Sequence, residues 1–264
     1  MKIIDMHSHI FPDKIADRAA ASIGEFYGLH MDCDASVNTL LKEEAKIEAR
    51  KVLVCSSALA PKQVESINNF LSESLNAHPD KFVVFGAMHR DYDNYKEEIA
   101  RVKELGFTGI KFHHDMQKID IDDPKQMPIY KEMAKNGLAV LFHMGDDRYD
   151  YSAPARMVKV AREIPELTIF AAHFGGYQRW ADSIHNPKLD NVYYDTSSSL
   201  FALDKSTAKR FIDYFGPDRF FFGSDFPMWT PESELKRFLN LGLGDEVNKM
   251  ILHDNAARVL GLKD

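Results

Sequence analysis

The chain has 264 residues, of which 45% are hydrophobic and 28% charged, and its formal net charge is −7. This composition is that of a globular protein and excludes a disordered or membrane-embedded chain. The acidic balance argues against broad electrostatic binding to nucleic acid or anionic lipid, because both require a basic surface.

The N-terminus leads directly into a strand-like run at residues 2–6 without a signal-peptide profile. No stretch approaches the roughly 18 apolar residues of a membrane span. We therefore expect a cytoplasmic protein that acts on a small molecule, with no nucleic-acid or membrane partner, and a homo-oligomer is compatible with the sequence. Cys33 and Cys55 lack the spacing of a zinc knuckle or redox pair and are given no role.

Eight short apolar runs, rich in β-branched and aromatic residues, predict strands at residues 3–6, 52–55, 82–85, 109–112, 138–142, 167–171, 191–194 and 219–222. Helix-like segments lie between them at residues 63–77, 92–105, 127–136, 155–163, 207–215 and 232–241, and a short last helix is predicted at 255–261. This alternation predicts a parallel sheet, and eight units predict a (β/α)8 TIM barrel in one domain, residues 1–264. An open doubly wound sheet is the alternative, although no glycine-rich nucleotide-binding motif supports it.

The first connection, residues 10–50, is longer than the others, and we expect it to form a lid or a substrate wall. Polar residues fall where the predicted strands end, which is where barrel enzymes carry their catalytic groups. These residues are His7 and His9 after the first strand, Lys111 and His113 at the fourth, His143 at the fifth, His173 at the sixth and Asp225 after the eighth. We assign no catalytic role to residues 194–197 at the end of the seventh strand.

His7 and His9 are two residues apart, so on an extended strand both side chains point to the same side. Two neutral imidazoles and the carboxylate of Asp225 suit Zn²⁺ or a related divalent metal with a position left open for water. Each of these motifs is weak alone. Their occurrence at the ends of different strands predicts one metal site, because these ends converge at one face of a barrel.

The ordered motifs resemble the amidohydrolase superfamily, and specifically its amidohydrolase-2 branch. They are IDMHSH at 4–9, GIKFH at 109–113, FHMG at 142–145, AHFGG at 172–176, GSDFP at 223–227 and NAAR at 255–258. The resemblance extends over nearly the whole chain. It implies a (β/α)8 barrel with His7, His9, His143 and Asp225 around a first metal ion.

The resemblance also implies a role for two further residues. His173 would act as a catalytic histidine beside the first metal or would ligate a second one. A carboxylated lysine bridges two ions in binuclear relatives, and Lys111 is the candidate here; the alternative is a buried lysine paired with a carboxylate.

The expected chemistry is that of a metal-dependent hydrolase in which a metal-activated water cleaves an amide, lactone or ester. Asp225 would take the proton of the water, and His173 would stabilise the oxyanion or share the proton transfer. The runner-up is a metal-dependent lyase, either a decarboxylase or a hydratase. A lesser alternative is a barrel that has lost catalysis and only binds a ligand.

Substrate contacts are expected from His113, Arg148 and Trp229. His113 shares a face of the fourth strand with Lys111, whereas His114 should point away from the barrel interior and be structural. Arg148 is the basic residue best placed for an acidic substrate, and an ion pair with a neighbouring aspartate is the alternative.

Overall fold

The computed structural model describes residues 1–262 and contains eight strands. They are β1 (Ile4–His9), β2 (Lys51–Cys55), β3 (Phe82–Ala87), β4 (Gly109–Phe112), β5 (Ala139–Phe142), β6 (Ile169–Ala171), β7 (Val192–Asp195) and β8 (Phe220–Phe221). The strands are hydrogen-bonded to one another in chain order, and the successive pairs from β3 to β7 are parallel. This order confirms the (β/α)8 fold and excludes the doubly wound sheet, whose strand order is not sequential.

The first strand is longer than its sequence pattern indicates, because the chain around β8 pairs with it. The backbone N–H of Met6 donates to the carbonyl of Phe222 (2.9 Å), and that of His9 donates to Phe226 (2.7 Å). The prediction that His7 and His9 follow the strand is therefore wrong, since both lie within β1.

The helices are α1 (Asp13–Tyr27), α2 (Val37–Lys46), α3 (Val64–Ala77), α4 (Tyr95–Glu104), α5 (His114–Gln117), α6 (Met127–Lys135), α7 (Pro154–Glu163), α8 (Trp180–Ser183), α9 (Lys205–Phe215), α10 (Pro231–Leu239), α11 (Asp245–Lys249) and α12 (Asn255–Leu260). All the predicted helices are present, with bounds within three residues of the prediction. None of the helices within residues 1–262 is long and apolar enough to span a membrane.

Local chemistry explains where these helices begin and end. Asp204 caps α9 by accepting hydrogen bonds from the backbone N–H groups of Ser206 and Thr207, and proline opens both α7 and α10. Gly261 ends α12 in the left-handed conformation (φ 63°), which glycine adopts without a side-chain clash.

Residue contacts divide the chain into two compact units, which we call unit 1 and unit 2. Unit 1 comprises Met1–Val54, Ser74–Val83 and the described residues from Asp195 onward. It contains β1, most of β2, β8 and the long first connection, which folds into α1 and α2. The proposed lid role of that connection stays a prediction, as does the single domain.

Unit 2 comprises Cys55–Glu73 and Val84–Tyr194, with β4, β5 and β6 paired in register. Gly109 at the start of β4 allows close packing there. A Cβ at this position would lie 2.6 Å from the carbonyl oxygen of Ala139 and would overlap the ring of Phe85. Any side chain at Gly109 would therefore push β4 away from its neighbours.

His114, just after β4, is a buried structural residue, as its position in the sequence indicated. Its Nε2 lies 2.9 Å from the hydroxyl of Tyr130, and its ring packs against Phe112 and Phe142. Burial, assisted by the charge of Lys111, lowers the pKa of His114 from 6.5 to about 3. The imidazole is therefore neutral in the folded protein at neutral pH.

We expect His114 to make stability depend on acid. The unfolded chain binds a proton at His114 below pH 6.5, whereas the folded chain binds it only near pH 3. The contribution of His114 to the free energy of unfolding is therefore complete above pH 6.5 and is lost as the pH falls towards 3. The wild type should lose up to about 1.4 kcal/mol per pH unit in this window relative to His114→Phe. Denaturant unfolding at several pH values measures this difference, with the exposed His185→Gln as control. A pH-independent difference would contradict the assignment.

Candidate metal centre

In unit 1, the two histidines of β1 meet a carboxylate from the loop after β8. The Nε2 atoms of His7 and His9 lie 3.4 and 3.3 Å from Oδ1 of Asp225. His7 and Asp225 are buried, whereas His9 is half-buried. The structure thus brings together three residues that the sequence predicted as metal ligands.

The backbone fixes Asp225 beside β1. Its N–H donates to the carbonyl of His7 over 2.7 Å, and its φ of 61° turns the chain sharply after β8. This left-handed conformation is costly for a residue with a side chain, and it occurs most often where function requires it. It directs the carboxylate back towards His7 and His9.

These three residues fit a divalent metal ion. Neutral imidazole nitrogens and a carboxylate oxygen are ordinary ligands of zinc and manganese. Two ligand atoms that bind the same ion at about 2.0–2.2 Å are roughly 3.0–3.5 Å apart. The distances of 3.3 and 3.4 Å lie within this range.

Asp195, at the end of β7, fixes the tautomer of His7 and was missed by the sequence analysis. Its Oδ2 lies 2.9 Å from Nδ1 of His7, while its Oδ1 accepts a hydrogen bond from Ser197 (2.5 Å). A proton on Nδ1 shared with Asp195 leaves the Nε2 lone pair of His7 for a metal. The sequence signal that could have identified Asp195 is its position at a strand end, in the polar run at 194–197 to which we assigned no catalytic role.

Asp5 connects β1 to the loop that carries Asp225. Its Oδ1 accepts hydrogen bonds from the backbone N–H groups of His7 and Ser224, both over 3.0 Å. Burial raises the pKa of Asp5 to about 6. Burial and the charge of Asp5 raise the pKa of the adjacent Glu44 well above its usual value. The protonated, neutral form of Glu44 is therefore favoured.

In unit 2, the predicted site residues lie at the ends of β4, β5 and β6. Lys111 is fully buried within β4. Nε2 of His143 lies 2.9 Å from the carbonyl oxygen of Gly145, so it carries the proton and Nδ1 is an acceptor. This Nδ1 is hydrogen-bonded to Nε2 of His173 over 3.1 Å. The structure thus brings His143 and His173 together, whereas the role of Lys111 at a second metal stays a prediction.

A further group of potential ligands in unit 2, namely His113, Asp115 and His143, is arranged as a stack. The rings of His113 and His143 are almost parallel, with an angle of 9° and a centroid distance of 4.0 Å. An imidazole binds a metal in its own ring plane, and two parallel planes at this distance do not share an ion. Nδ1 of His113 also accepts a hydrogen bond from the backbone of Met116. We therefore assign no metal to this group.

The other two residues predicted to contact substrate, Arg148 and Trp229, form hydrogen bonds with other side chains of the protein. Arg148 forms a two-pronged ion pair with the buried Asp146, with N–O distances of 2.8 and 2.7 Å. This is the alternative that the sequence analysis described for Arg148, and bidentate pairing holds the guanidinium in place. Trp229 is half-buried and donates its indole N–H to Ser198.

Known proteins provide independent information on this chain. The family model described as Amidohydrolase matches residues 4–262. A curated relative, the 2-amino-3-carboxymuconate-6-semialdehyde decarboxylase of Dictyostelium discoideum, is 28% identical over 132 residues. This match spans 42% of the present chain and 37% of the relative.

Solved structures share the fold at low sequence identity. A dihydroxybenzoic acid decarboxylase from Polaromonas sp. JS666, with bound manganese and the inhibitor 2-nitroresorcinol, has a TM-score of 0.74 and 15% identity over 99% of this chain and 97% of its own. A structure assigned as a 2-pyrone-4,6-dicarboxylic acid hydrolase from Pseudomonas putida has a TM-score of 0.72 and 17% identity over 99% and 98% of the two chains. Proteins described as a decarboxylase and as a hydrolase therefore share this fold.

The contact between Asp195 and His7 predicts an effect on metal affinity. Asp195→Asn removes the carboxylate that orients His7, and loss of such an outer partner typically weakens metal binding about 10–100-fold. Competition with a chromophoric chelator measures the affinity for Zn²⁺ and Mn²⁺. Asp213→Asn, on the exposed face of α9, is the matched control. Wild-type affinity in Asp195→Asn would refute the role of Asp195.

Proposed function

The chain belongs to the amidohydrolase family, and we propose that it is a metal-dependent hydrolase that cleaves a C–N or C–O bond of a small amide, lactone or ester. The observation that carries this proposal is the convergence of two histidine nitrogens on one carboxylate oxygen, at 3.3 and 3.4 Å. A divalent metal bound there supplies a Lewis acid and lowers the pKa of a water molecule, which then becomes a nucleophile at neutral pH.

We propose that His7, His9 and Asp225 hold one ion and that His143 completes the set. The role of His143 rests on the family resemblance. Zn²⁺ is the proposed ion, because tetrahedral ligands at about 2.1 Å are about 3.4 Å apart. Mn²⁺ is the alternative, since it is bound in the Polaromonas decarboxylase. A second ion at His173 and Lys111 stays a prediction.

Asp225 is the proposed general base. With Oδ1 facing His7 and His9, the carboxylate of Asp225 would take the proton of the attacking water and pass it to the leaving nitrogen or oxygen. His173 is proposed to donate a hydrogen bond to the oxyanion that develops on the substrate carbonyl. His113 and Trp229 remain candidates for substrate contact.

The second candidate function is a metal-dependent decarboxylase. The Dictyostelium relative and the Polaromonas structure both favour it, because each is described as a decarboxylase. An acidic substrate needs a cationic partner, and the charge of Arg148 is already offset by its ion pair with Asp146. We place hydrolysis first because a neutral amide, lactone or ester needs no such partner. The cytoplasmic location and a homo-oligomeric state remain predictions.

Replacement of the proposed base tests the catalytic assignment. Asp225→Asn should lower kcat by about 10²-fold or more, which is the usual contribution of a general base. Its melting temperature without metal should remain near that of the metal-free wild type, because metal-dependent stabilisation would fall with the loss of a ligand. Full turnover by this variant on any substrate of the wild type would contradict the role of Asp225.

A substrate panel distinguishes the two reactions. We expect the zinc-loaded protein to hydrolyse members of a set of lactones, esters and amides, with proton release as the readout for lactones and esters and amine release for amides. Carbon dioxide release from hydroxybenzoates, without hydrolysis, would instead establish the decarboxylase. Protein stripped by a chelator is the control, and activity that persists without metal would contradict both reactions.

A further inference from the structure

The loop after β7 contains a serine in an unusual backbone conformation next to the proposed metal centre. Ser198 is 1% exposed and has a φ of 45°, in the left-handed region that glycine adopts most readily. A side chain at such a position carries a conformational cost that glycine avoids. The presence of serine therefore points to a use for its hydroxyl group.

The hydroxyl of Ser198 has three polar neighbours. It lies 2.5 Å from Oδ2 of Asp225, 3.0 Å from Nε1 of Trp229 and 3.2 Å from Sδ of Met228. The indole N–H is only a donor, so the oxygen of Ser198 must accept from it. The single hydroxyl proton is then available for Asp225 or Met228, and the carboxylate oxygen is much the stronger acceptor.

These rules give the hydrogen bonds one direction, from Trp229 to Ser198 and from Ser198 to Asp225. The last of these hydrogen bonds ends on Oδ2 of Asp225, whereas Oδ1 is the oxygen that faces His7 and His9. We propose that Ser198 and Trp229 are positioning residues that select Oδ1 of Asp225 as the metal ligand. This inference rests on the proposed metal centre and extends it to residues outside the ligand set.

Trp229 is itself held in place on two sides. The guanidinium of Arg237 lies 4.2 Å from the indole centroid, and the ring of Phe201 lies 5.1 Å away. These contacts restrict the indole so that its N–H stays directed at Ser198. Trp229→Phe retains an aromatic ring for both neighbours and removes the hydrogen-bond donor, together with part of the indole volume.

The experiment measures the affinity of the full chain for Zn²⁺ and for Mn²⁺ by chelator competition, without any substrate. Ser198→Ala and Ser198→Gly both delete the hydroxyl, and each should weaken binding about 10–100-fold. Only glycine relieves the backbone cost, so Ser198→Gly should melt at a higher temperature than Ser198→Ala. Trp229→Phe should weaken binding by a smaller factor, up to about tenfold.

Ser199→Ala is the matched control, because the neighbouring buried hydroxyl donates only to a backbone carbonyl, that of Ser197. It should bind metal like the wild type. Wild-type metal affinity in both Ser198 variants would overturn the proposal. Wild-type affinity in Ser198→Gly alone would also overturn it, because backbone strain, and not loss of the hydroxyl, would then explain the weaker binding of Ser198→Ala. Unchanged metal affinity in Trp229→Phe would show that Trp229 has no positioning role. A wild type that binds no metal would instead refute the proposed function.

The two tryptophans of the chain offer a second readout. In a Trp180→Phe background, Trp229 is the only indole, and metal binding at Asp225 should change its emission through Ser198. The same change should disappear when Ser198→Ala is added at saturating metal. An identical response with and without the Ser198 hydroxyl would contradict the proposed coupling.

Discussion

The backbone pairing of β1 with the chain around β8 is the constraint on which the candidate site depends. It places the carbonyl of His7 where the N–H of Asp225 can donate to it, and Asp5 reinforces the junction by accepting from both segments. Because β1 is extended, this junction also determines where His9 points. A shift of one residue would turn the two histidines to the opposite face. The positions of the candidate metal ligands are therefore fixed by main-chain geometry before their side chains are considered.

The surroundings of this junction are rich in buried acid, which favours a cation. Asp195 and Asp225 are buried close to His7, and Glu234 is buried on α10, where burial raises its pKa to about 8 despite the adjacent Arg237. Carboxyl groups in such an environment either keep their protons or require a positive partner. Burial favours the protonated form of Glu44, whereas Glu234 has Arg237 as a direct positive partner. The direct contacts of Asp225 with two histidines likewise suit a positive partner.

Much of the fold could be predicted because its signals are local. The eight apolar runs match the observed strands, and proline and glycine mark the helix ends. The full length of β1 could not be predicted, because its last residues pair with a segment more than 200 residues away. The roles of Asp195 and Ser198 were also inaccessible, since each depends on a partner from another part of the chain.

By itself, the sequence determined the alternation of strands and helices, the common side of His7 and His9, and the family that the ordered motifs resemble. These follow from the period of a strand and from short-range chain chemistry. The tertiary structure decided which nitrogen of His7 faces Asp195 and which oxygen of Asp225 faces Ser198, that His113 stacks on His143, and that Arg148 pairs with Asp146. Protonation and side-chain direction depend on atoms that approach only when distant loops fold together, so no local pattern encodes them.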